Sequence, residues 1–504
     1  MYSIDYWIDK RAMISPERVA FRGDYQTWNY HQVAIVMNRM AVFFQDDMNI
    51  QKGDRVAILA HNSVSYLITY FALAKVGAIV VPLNTRLSLK EWEFQINDSG
   101  AKHLLYDHDF EQSVTELQLI HRFESVFELG QCLKDTSTLS TSTHISSKVT
   151  DPHTPFIICY TSGTTGRPKG AVLTHENMFW NAINNITAID LTSYDRVIVL
   201  LPLFHIGGIG LFAFPTILAG GAVVVPGKFN PDQAIHVIEQ EKITVVMGVP
   251  AIHEALLNSS KFKQADFSHV RWFYNGGAPI SQDVIKRFLS KGIPFGQGFG
   301  MSETSPTIFM LTKEDYERKI GSIGKPALFN DVKILDDHKR EVNQGETGEL
   351  HIKGPNVMDA YWGLPEETKN TFYEGWLASG DLVRQDEEGF YWVAGRKKDM
   401  IISGGENVYP LEVEQVIDLL DEIEEVAVVG HPDETWGEVP VAYIKLIQGE
   451  KIDRSQLISE CQKYLGKYKI PKRFYEVSEL PRNATGKVLK SKLVDQIYQE
   501  KEID

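Results

Sequence analysis

Short apolar runs alternate with segments of helical length along most of the chain, beginning near residue 54. Runs of about four to eight apolar and β-branched residues, bounded by turn residues, are typical of buried strands. Helices are predicted between several of them, at 63–75 and 281–291. This alternation favours βαβ units and parallel sheets, and so many strands require more than one sheet. The predicted strands lie within residues 54–60, 77–83, 102–107, 156–163, 196–204, 221–227, 243–250 and 270–277.

The pattern changes after Asn330. Three short strands with Gly turns, at 331–336, 348–354 and 389–395, predict a small antiparallel sheet or barrel. From Arg396 onward, helices and strands form a compact α+β pattern that opens with a charged RKKD stretch. We therefore predict an α/β protein with two domains. The boundaries are 1–396 for a large N-terminal domain that includes the barrel-like region, and 397–504 for a small α+β C-terminal domain.

One long segment carries no charge. Between Arg196 and Lys228 the chain has no Asp, Glu, Lys or Arg, which is long enough to test as a membrane span. Pro202, Pro215 and several glycines interrupt it, and no basic flank marks an orientation. We therefore predict a buried strand, loop, helix and strand here, and no transmembrane segment.

Composition narrows the class of protein. A chain of 504 residues exceeds the size of one compact core, and its net charge of −15 argues against nucleic acid as a partner. The three cysteines, Cys132, Cys159 and Cys461, form no CxxC pair, so buried thiols in a reducing compartment are expected. Asp5 and Asp9 interrupt the N-terminus where a secretory signal needs an apolar run. The expected location is the cytoplasm.

Residues 160–170, YTSGTTGRPKG, follow a predicted strand and combine hydroxyls, glycines and a lysine. Backbone N–H groups freed by glycine, together with hydroxyls and a lysine charge, can bind phosphates. The spacing excludes a Walker loop, because Lys169 follows Pro168 and not a glycine, and it excludes a dinucleotide fingerprint. Taken alone, the stretch fits a surface turn at least as well as a phosphate site.

Seven further motifs change this balance, because together with 160–170 they resemble the adenylate-forming superfamily of acyl-CoA synthetases, luciferases and adenylation domains. They follow in the family's order along nearly the whole chain. Their local sequences are most similar to those of bacterial fatty-acyl-CoA synthetases. The motifs are PLFHIGG (202–208), NGGAP (275–279), QGFGMSET (297–304), GELHIKGPNV (348–357), GWLASGDL (375–382), GRKKDMIISGGENVYPLEVE (395–414) and PRNATGK (481–487).

The resemblance implies a reaction in two halves. A carboxylate attacks the α-phosphate of ATP to give acyl-AMP and pyrophosphate, and the thiol of coenzyme A then displaces AMP. The expected small molecules are ATP, Mg²⁺, coenzyme A and a carboxylic acid. The resemblance also implies a mobile C-terminal domain that turns about a hinge at Lys398. The sequence leaves open a homodimer and a peripheral contact with a membrane.

The resemblance assigns nucleotide-binding roles by motif. In this chain Phe299 and Ser302 replace the family's usual Tyr and Thr; Phe299 keeps a ring for adenine, Ser302 keeps a hydroxyl, and the chemistry is expected to survive both changes. Asp381 is expected to accept hydrogen bonds from the ribose hydroxyls, with Arg396 assisting. The full ATP-binding set is Thr161, Ser162, Gly163, Thr164, Thr165, Gly166, Lys169, Gly276, Gly277, Ala278, Gly298, Phe299, Gly300, Asp381 and Arg396.

The same resemblance implies the catalytic and coenzyme A positions. Lys487 would bridge the substrate carboxylate and the α-phosphate, Ser302 would bond that phosphate, and Glu303 would ligate Mg²⁺. His205 would lie near the reacting carboxylate. An interdomain salt bridge is an alternative role for Arg396, and a packed loop tryptophan is an equal alternative for Trp436. The positions implied for coenzyme A are Gly404, Gly405, Glu406 and Trp436.

The acid itself is less constrained. Residues 206–214 are predicted to form one wall of its pocket and offer no charge to a polar tail, so an aliphatic or aromatic acid is favoured. We expect a fatty acid first. The alternatives are o-succinylbenzoate, a benzoate- or cinnamate-type acid, and loading of a protein-bound pantetheine in place of coenzyme A.

Overall fold

The computed structural model describes residues 3–23, 26–131, 145–161, 167–482, 488–495 and 501–503. The chain divides into two compact units, one of residues 1–331 with 352–377 and one of residues 332–351 with 378–504. The domain boundary predicted between residues 396 and 397 lies inside the second unit. As a statement about which segment moves as a body, it stays a prediction.

Two sheets form the first unit, and the larger is mostly parallel. In the part of the chain that the structure describes it has nine strands, with antiparallel neighbours only at its two ends. Buried residues of the central strands, such as Val246 and Phe273, form its core. In spatial order the strands are Lys325–Pro326, Thr307–Met310, Phe295–Gly300, Trp272–Asn275, Val245–Gly248, Arg196–Val199, Ala222–Val225, Val19–Gly23 and Gln26–Asn29.

The second sheet carries the start of the predicted phosphate loop. Among the described residues it has seven strands, and the first two in the order below are antiparallel additions to a parallel set. Antiparallel edges on an otherwise parallel sheet are common in large α/β proteins. In spatial order the strands are Ala360–Tyr361, Lys169–Thr174, Pro155–Thr161, Ile79–Pro82, Arg55–Leu59, His103–Tyr106 and Ser125–Glu128.

Helices connect the strands, and their ends follow from the local sequence. The helix Val64–Val76 begins where the Ser63 side chain accepts a hydrogen bond from Tyr66 N, and it ends at Gly77, whose φ of 79° favours glycine. The α-helices described are Asp5–Ile14, Tyr30–Asp46, Val64–Val76, Leu89–Ser99, Glu111–Ile120, His175–Ile189, Ile206–Gly210, Ala213–Ala219, Pro231–Gln240, Pro250–Asn258, Gln282–Leu289, Pro365–Thr371, Pro410–Ile417, Arg454–Tyr464 and Lys490–Asp495.

The remaining strands form two smaller sheets. One runs in the order Asp331–Leu335, Thr347–Lys353, Trp376–Gln385 and Phe372–Tyr373, with Tyr391–Arg396 also paired to Trp376–Gln385. The other has a parallel pair, Gly437–Leu446 with Arg473–Glu476, among antiparallel neighbours. Its order is Glu406–Val408, Ile401–Ser403, Gly437–Leu446, Arg473–Glu476 and Lys501–Glu502, with Ile423–Asp433 also paired to Gly437–Leu446.

The main sequence predictions of the fold are confirmed. The uncharged segment folds as strand Arg196–Val199, two short helices and strand Ala222–Val225. Cys159 and Cys461 are buried, and burial raises the pKa of both thiols to about 11. Cys132 and most of the predicted loop 135–147 lie outside the described residues. None of the described helices combines the length and the apolar character that a membrane span needs.

Two buried histidines predict how stability depends on pH. His253 lies among Phe273, Phe288 and Phe295, with its Nε2 3.2 Å from Tyr274 O, and burial lowers its pKa to about 4. Burial lowers the pKa of His175 to about 3. At a pH below 6.5, the ordinary pKa of histidine, these side chains bind protons in the unfolded chain but not in the folded one. Stability should therefore fall as the pH drops from about 6.5 towards 4.

Replacing His253 by phenylalanine should flatten this pH dependence, because one of the two protons no longer binds on unfolding. The slope of unfolding free energy should fall by up to about 1.4 kcal/mol per pH unit. Urea unfolding at several pH values between 4 and 7 measures it. Equal slopes for the variant and the wild type would contradict a neutral His253 in the folded state.

Candidate functional site

Three neighbouring strands of the nine-stranded sheet end at one edge. Val245–Gly248, Trp272–Asn275 and Phe295–Gly300 are parallel, and Asn275 is in register with both Gly248 and Gln297. The NGGAP and GMSE motifs directly follow the second and third of these strands. Open α/β sheets bind ligands beyond the carboxyl ends of their strands. The fold therefore brings both motifs to the edge where a ligand is expected.

The NGGAP loop, residues 275–279, requires its glycines. The Asn275 side chain is buried and its Nδ2 donates to Ala278 O over 2.9 Å, which closes the loop. A Cβ on Gly276 would lie 2.7 Å from Met247 Cε, and Gly277 has a φ of +81°. Gly277 and Ala278 are exposed, whereas Gly276 is buried. The exposed backbone of this loop is open to a ligand, as expected for adenine.

The next strand end is equally crowded behind its backbone. A Cβ on Gly300 would lie 1.6 Å from Pro306 O, and one on Gly298 would lie 2.6 Å from Phe309 O. Phe299 stands between these two glycines and is half-buried, with its ring centroid 6.1 Å from that of Phe309. The glycines allow the backbone to pass close to the returning strand, and Phe299 stays partly accessible at this edge.

Ser302 and Glu303 lie in a short 3₁₀ turn, Ser302–Thr304, that asparagine side chains hold in place. Asn356 Nδ2 donates to Thr304 O at 2.7 Å and to Thr307 O at 2.8 Å. Asn181 Oδ1 accepts from Thr307 N at 3.0 Å. We did not predict these asparagines. The sequence does contain one indication of them: Asn177, Asn181 and Asn185 recur every fourth position, on one face of the helix His175–Ile189.

The carboxylate of Glu303 is buried, with 7% of the residue exposed. Tyr361 Oη donates to its Oε1 over 2.8 Å, and Met358 N donates to Glu303 O, also over 2.8 Å. Burial, together with this carboxylate, raises the pKa of Tyr361, so the phenol remains the donor. No cluster of three metal-ligating side chains occurs among the described residues. A single carboxylate is nevertheless enough as the protein's ligand to Mg²⁺ that arrives on ATP, because phosphate oxygens and water supply the other ligands.

The phosphate motif is described at its two ends. Thr161 is in register with Lys169 in the antiparallel pair that flanks the loop. Lys169 Nζ lies 2.5 Å from Glu367 Oε2 and 5.5 Å from the ring centroid of Tyr361. The lysine is therefore held at the base of the loop. The predicted positions Ser162, Gly163, Thr164, Thr165 and Gly166 lie outside the described residues.

His205 begins the helix Ile206–Gly210. Its Nδ1 accepts a hydrogen bond from Gly207 N at 3.1 Å, which caps the helix and fixes the ring. The ring is exposed to solvent, but the many protein atoms around it lower its pKa, so the imidazole is neutral near pH 7. A neutral histidine can orient a carboxylate without forming an ion pair with it.

A small uncharged cavity of about 10 Å³, enough for one water molecule, lies behind this helix. Met247 lines it and also occupies the space beside Gly276, so the cavity adjoins the NGGAP loop. Phe212 lies against Tyr274, with ring centroids 5.8 Å apart. The predicted wall 206–214 is thus buried for the most part. The cavity is lined by Val197, Ile198, Val199, Leu200, Leu201, Gly207, Gly208, Phe212, Ala213 and Met247.

In the second unit, the buried Asp381 is paired with the partly exposed Arg396. They are in register on neighbouring antiparallel strands, and Arg396 Nε lies 2.8 Å from Asp381 Oδ1. Asp381 is 3% exposed, and this arginine lies beside its carboxylate. A buried carboxylate of this kind is a strong acceptor for hydroxyl groups. The geometry fits the expected ribose role and does not test it.

The glycine-rich hairpin of the second unit packs against Trp436. Gly404 N donates to Trp436 O over 2.8 Å, and a Cβ on Gly404 would lie 2.6 Å from the indole. Gly404 and Gly405 have φ values of +62° and +87°. Both glycines, Glu406 and the indole are exposed. The four residues expected to contact coenzyme A therefore form one exposed surface.

The two remaining positions carry less structural information. Lys398 is exposed in the 3₁₀ turn Lys397–Asp399, and its neighbour Lys397 is bonded to Asp337 and Glu349 at 2.9 and 3.1 Å. Lys487 lies outside the described residues. The roles of both as hinge and catalytic lysine stay predictions.

Comparison with known protein families identifies the family and the enzyme class of this chain. Residues 8–362 match the AMP-binding enzyme family, and residues 412–487 match the AMP-binding enzyme C-terminal domain. The chain belongs to the AMP-binding enzyme family. The predicted membership of the adenylate-forming superfamily is thus confirmed, and so is the enzyme class, an AMP-forming acid–thiol ligase.

Curated members of the AMP-binding enzyme family resemble this chain over almost its whole length. A feruloyl-CoA synthase of Amycolatopsis sp. is 37% identical over 97% of both chains. An indoleacetate–CoA ligase of Aromatoleum aromaticum is 36% identical over 96% of both. A long-chain-fatty-acid–CoA ligase of Mycobacterium tuberculosis is 34% identical over 98% of this chain and 99% of the relative.

Solved structures of AMP-binding enzymes confirm the fold class. The o-succinylbenzoate coenzyme A synthetase of Bacillus subtilis, in complex with ATP and magnesium ion, has a TM-score of 0.86. It is 34% identical and the match covers 97% of this chain and 98% of that one. ATP-bound MatB of Rhodopseudomonas palustris has a TM-score of 0.90, with 30% identity over 99% of both chains. The co-substrates expected for this class, ATP with magnesium and coenzyme A, agree with the prediction.

Proposed function

We propose that this AMP-binding enzyme activates an aryl carboxylic acid with ATP and transfers the acyl group to coenzyme A. The observation that carries the proposal is the uncharged lining beside the NGGAP loop, which offers no cation or carboxylate to a polar substrate tail. The acid would place its carboxylate near His205 and Gly276 and its apolar body against this lining, where the enclosed space of about 10 Å³ would have to widen to admit it.

In the first half-reaction, a carboxylate oxygen bonds to the α-phosphorus of ATP while the bond to pyrophosphate breaks. Two anions must approach each other, so the barrier is mainly electrostatic. Lys169 would bind the outgoing phosphates, the Ser302 hydroxyl would donate to the α-phosphate, and Glu303 would bind the magnesium ion that accompanies ATP. Lys487 would stabilise the charge on the bridging oxygens.

In the second half-reaction, the thiol sulfur of coenzyme A bonds to the acyl carbon and AMP leaves with the bridging oxygen. The thiol proton passes to solvent. The exposed surface of Gly404, Gly405, Glu406 and Trp436 supports a role in guiding the pantetheine arm, because glycines leave room for a narrow chain and the indole offers an apolar contact.

Two observations favour an aryl acid. Phe212 and Met247 line the cavity, and sulfur–aromatic and edge-to-face ring contacts favour a planar substrate. Two relatives, 37% and 36% identical to this chain, are a feruloyl-CoA synthase and an indoleacetate–CoA ligase. A fatty acid, which we expected from the sequence, is the second candidate, favoured by the 34% identical long-chain relative.

A paired substrate screen tests the proposal. AMP release that depends on ATP and coenzyme A should be measured with ferulate, cinnamate and indoleacetate, and with octanoate, decanoate and palmitate. We expect kcat/KM for the best aryl acid to exceed that for the best linear acid by at least about tenfold, the effect of a few well-placed contacts. Succinate and malonate serve as controls. The enzyme should not activate either acid, since the lining carries no charge for a second carboxylate.

The outcomes separate the candidates. Preference for the linear acids would move the assignment to a fatty-acyl-CoA synthetase. Pyrophosphate release with an acid but no consumption of free coenzyme A would favour the loading of a protein-bound pantetheine. If no acid of the panel supports pyrophosphate release, the proposed activity is wrong for these substrates.

A further inference from the structure

One segment of the first unit contacts both ends of the proposed triphosphate site. Residues 356–367, here called the bridging segment, begin with the last two residues of the GELHIKGPNV motif, and none of them was assigned a role from the sequence. Asn356 donates hydrogen bonds to the carbonyls of Thr304 and Thr307, which follow Glu303, the proposed metal ligand. At the segment's other end, Glu367 is paired with Lys169 at the base of the phosphate loop.

Tyr361 lies at the centre of the bridging segment and is 8% exposed. Its backbone is fixed, because Ala360–Tyr361 forms an antiparallel pair with Ala171 and Val172, and Tyr361 N donates to Thr368 Oγ1. The adjacent Trp362 N donates to Gly170 O over 2.7 Å. The position of the phenol is therefore set by the same strand that carries Lys169.

The phenol in turn fixes Glu303. Its hydrogen bond to Oε1 is 2.8 Å long, and the accepting group is a buried carboxylate. Among the described residues, Oε2 accepts no hydrogen bond. A charge-assisted bond to one oxygen restrains the rotation of the carboxylate and keeps the second oxygen available for a cation.

We propose that Tyr361 is the positioning residue for magnesium-bound ATP: its hydroxyl orients the Glu303 carboxylate for the metal, at a fixed distance from Lys169. The inference rests on the proposed function, in which Glu303 binds magnesium and Lys169 binds the outgoing phosphates. The inference adds a physical reason why Glu303 and Lys169 are held at a set distance from each other. A cation near Glu303 and the lysine charge must meet the same triphosphate, and the ring of Tyr361 lies between them.

A purely structural tyrosine would give a different result on mutation. Tyr361→Phe keeps the ring beside Lys169 and the hydrogen bond from Tyr361 N to Thr368 Oγ1, and removes only the hydroxyl. A structural role would therefore lower stability and leave metal affinity unchanged. A positioning role predicts weaker binding of the metal–nucleotide complex with normal binding of the acid.

The experiment measures Mn²⁺ binding by electron paramagnetic resonance in the presence of α,β-methylene-ATP, which resists adenylation. We expect Tyr361→Phe to raise the dissociation constant for Mn²⁺ at least about tenfold, as the loss of a hydrogen bond to a charged group predicts. Glu303→Gln should raise it at least as much. Tyr30→Phe is the matched control, because Tyr30 Oη is also buried and donates to a carbonyl, Gly221 O, at 2.7 Å; this variant should bind Mn²⁺ like the wild type.

Kinetics give a second readout on the same variants. In pyrophosphate release, Tyr361→Phe should raise the apparent KM for Mg²⁺ at least about tenfold and leave the KM for the acid unchanged. Wild-type Mn²⁺ affinity in Tyr361→Phe, with Glu303→Gln impaired, would overturn the positioning role alone. Wild-type affinity in both variants would remove Glu303 from the metal site and, with it, the role of Tyr361. Failure of the wild type to activate any acid would instead count against the proposed function.

Discussion

Replacing Lys487 by alanine should reduce pyrophosphate release from ATP and acid at least about a hundredfold, the usual effect of removing one donor that stabilises developing charge. The lysine would lie between the attacking carboxylate and the α-phosphate, where negative charge accumulates as the new bond forms. Binding of ATP should change much less than kcat, since the charge develops only in the transition state. Pyrophosphate release under saturating ATP measures this effect.

The second half-reaction provides the internal control for Lys487→Ala. Thioester formation from synthetic acyl-adenylate and coenzyme A needs no attack on phosphorus, so the variant should retain it. Lys492→Ala is a matched substitution at an exposed position of the nearby helix Lys490–Asp495 and should leave both halves intact. Unimpaired pyrophosphate release in Lys487→Ala would show that another group supplies the charge.

Asp381→Asn should raise the KM for ATP by roughly 10- to 100-fold, with little change in the KM for the acid. The substitution replaces a buried anion that would accept from the ribose hydroxyls, and hydrogen bonds to charged groups contribute about 1.5–3 kcal/mol. It also leaves Arg396, whose Nε lies 2.8 Å away, without its main counter-charge. Initial rates of pyrophosphate release at varied ATP provide the measurement.

A second Asp–Arg pair in the same unit serves as the control. Asp336 and Arg340 lie 2.8 Å apart and are partly exposed, so Asp336→Asn should change neither KM. If the two variants raise the KM for ATP equally, the effect reflects the general charge of the unit. An unchanged KM in Asp381→Asn would remove this residue from the ribose site.

The fold could be predicted well where strands are buried on both faces. Runs such as residues 243–250 and 270–277 are strongly apolar, and both contain parallel strands of the larger sheet. The antiparallel additions were missed, for example Lys169–Thr174, because that strand directly follows the loop motif and carries no alternation of its own. The pairing of distant segments, such as 19–23 with 222–225, depends on long-range contacts that local patterns do not encode.

The candidate site was predicted where motifs state chemistry directly. Glycines and hydroxyls in a loop, and a serine followed by a glutamate, indicate phosphate and metal. Tyr361 and Glu367 were missed, because a tyrosine or glutamate becomes informative only when its partner is known. Their contacts to Glu303 and Lys169 span 58 and 198 positions along the chain.

The acid was the least predictable part, for a physical reason. Apolar lining residues contribute through shape and contact area, and similar sequences can enclose cavities of different outline. The relatives illustrate this, since chains 34–37% identical to this one act on ferulate, indoleacetate and long-chain fatty acids. Measured preference is therefore needed in addition to the lining.

The order of strands in the two large sheets has a consequence for synthesis on the ribosome. Strand Val19–Gly23 emerges early but pairs with Ala222–Val225, and strand Lys169–Thr174 gains its outer neighbour only when Ala360–Tyr361 is made. A nascent chain that ends at residue 331 would therefore present Lys169–Thr174 as an open edge, ready to pair with another chain. Fragments cut before residue 361 should aggregate, and the chain should need protection until that short strand has closed the edge.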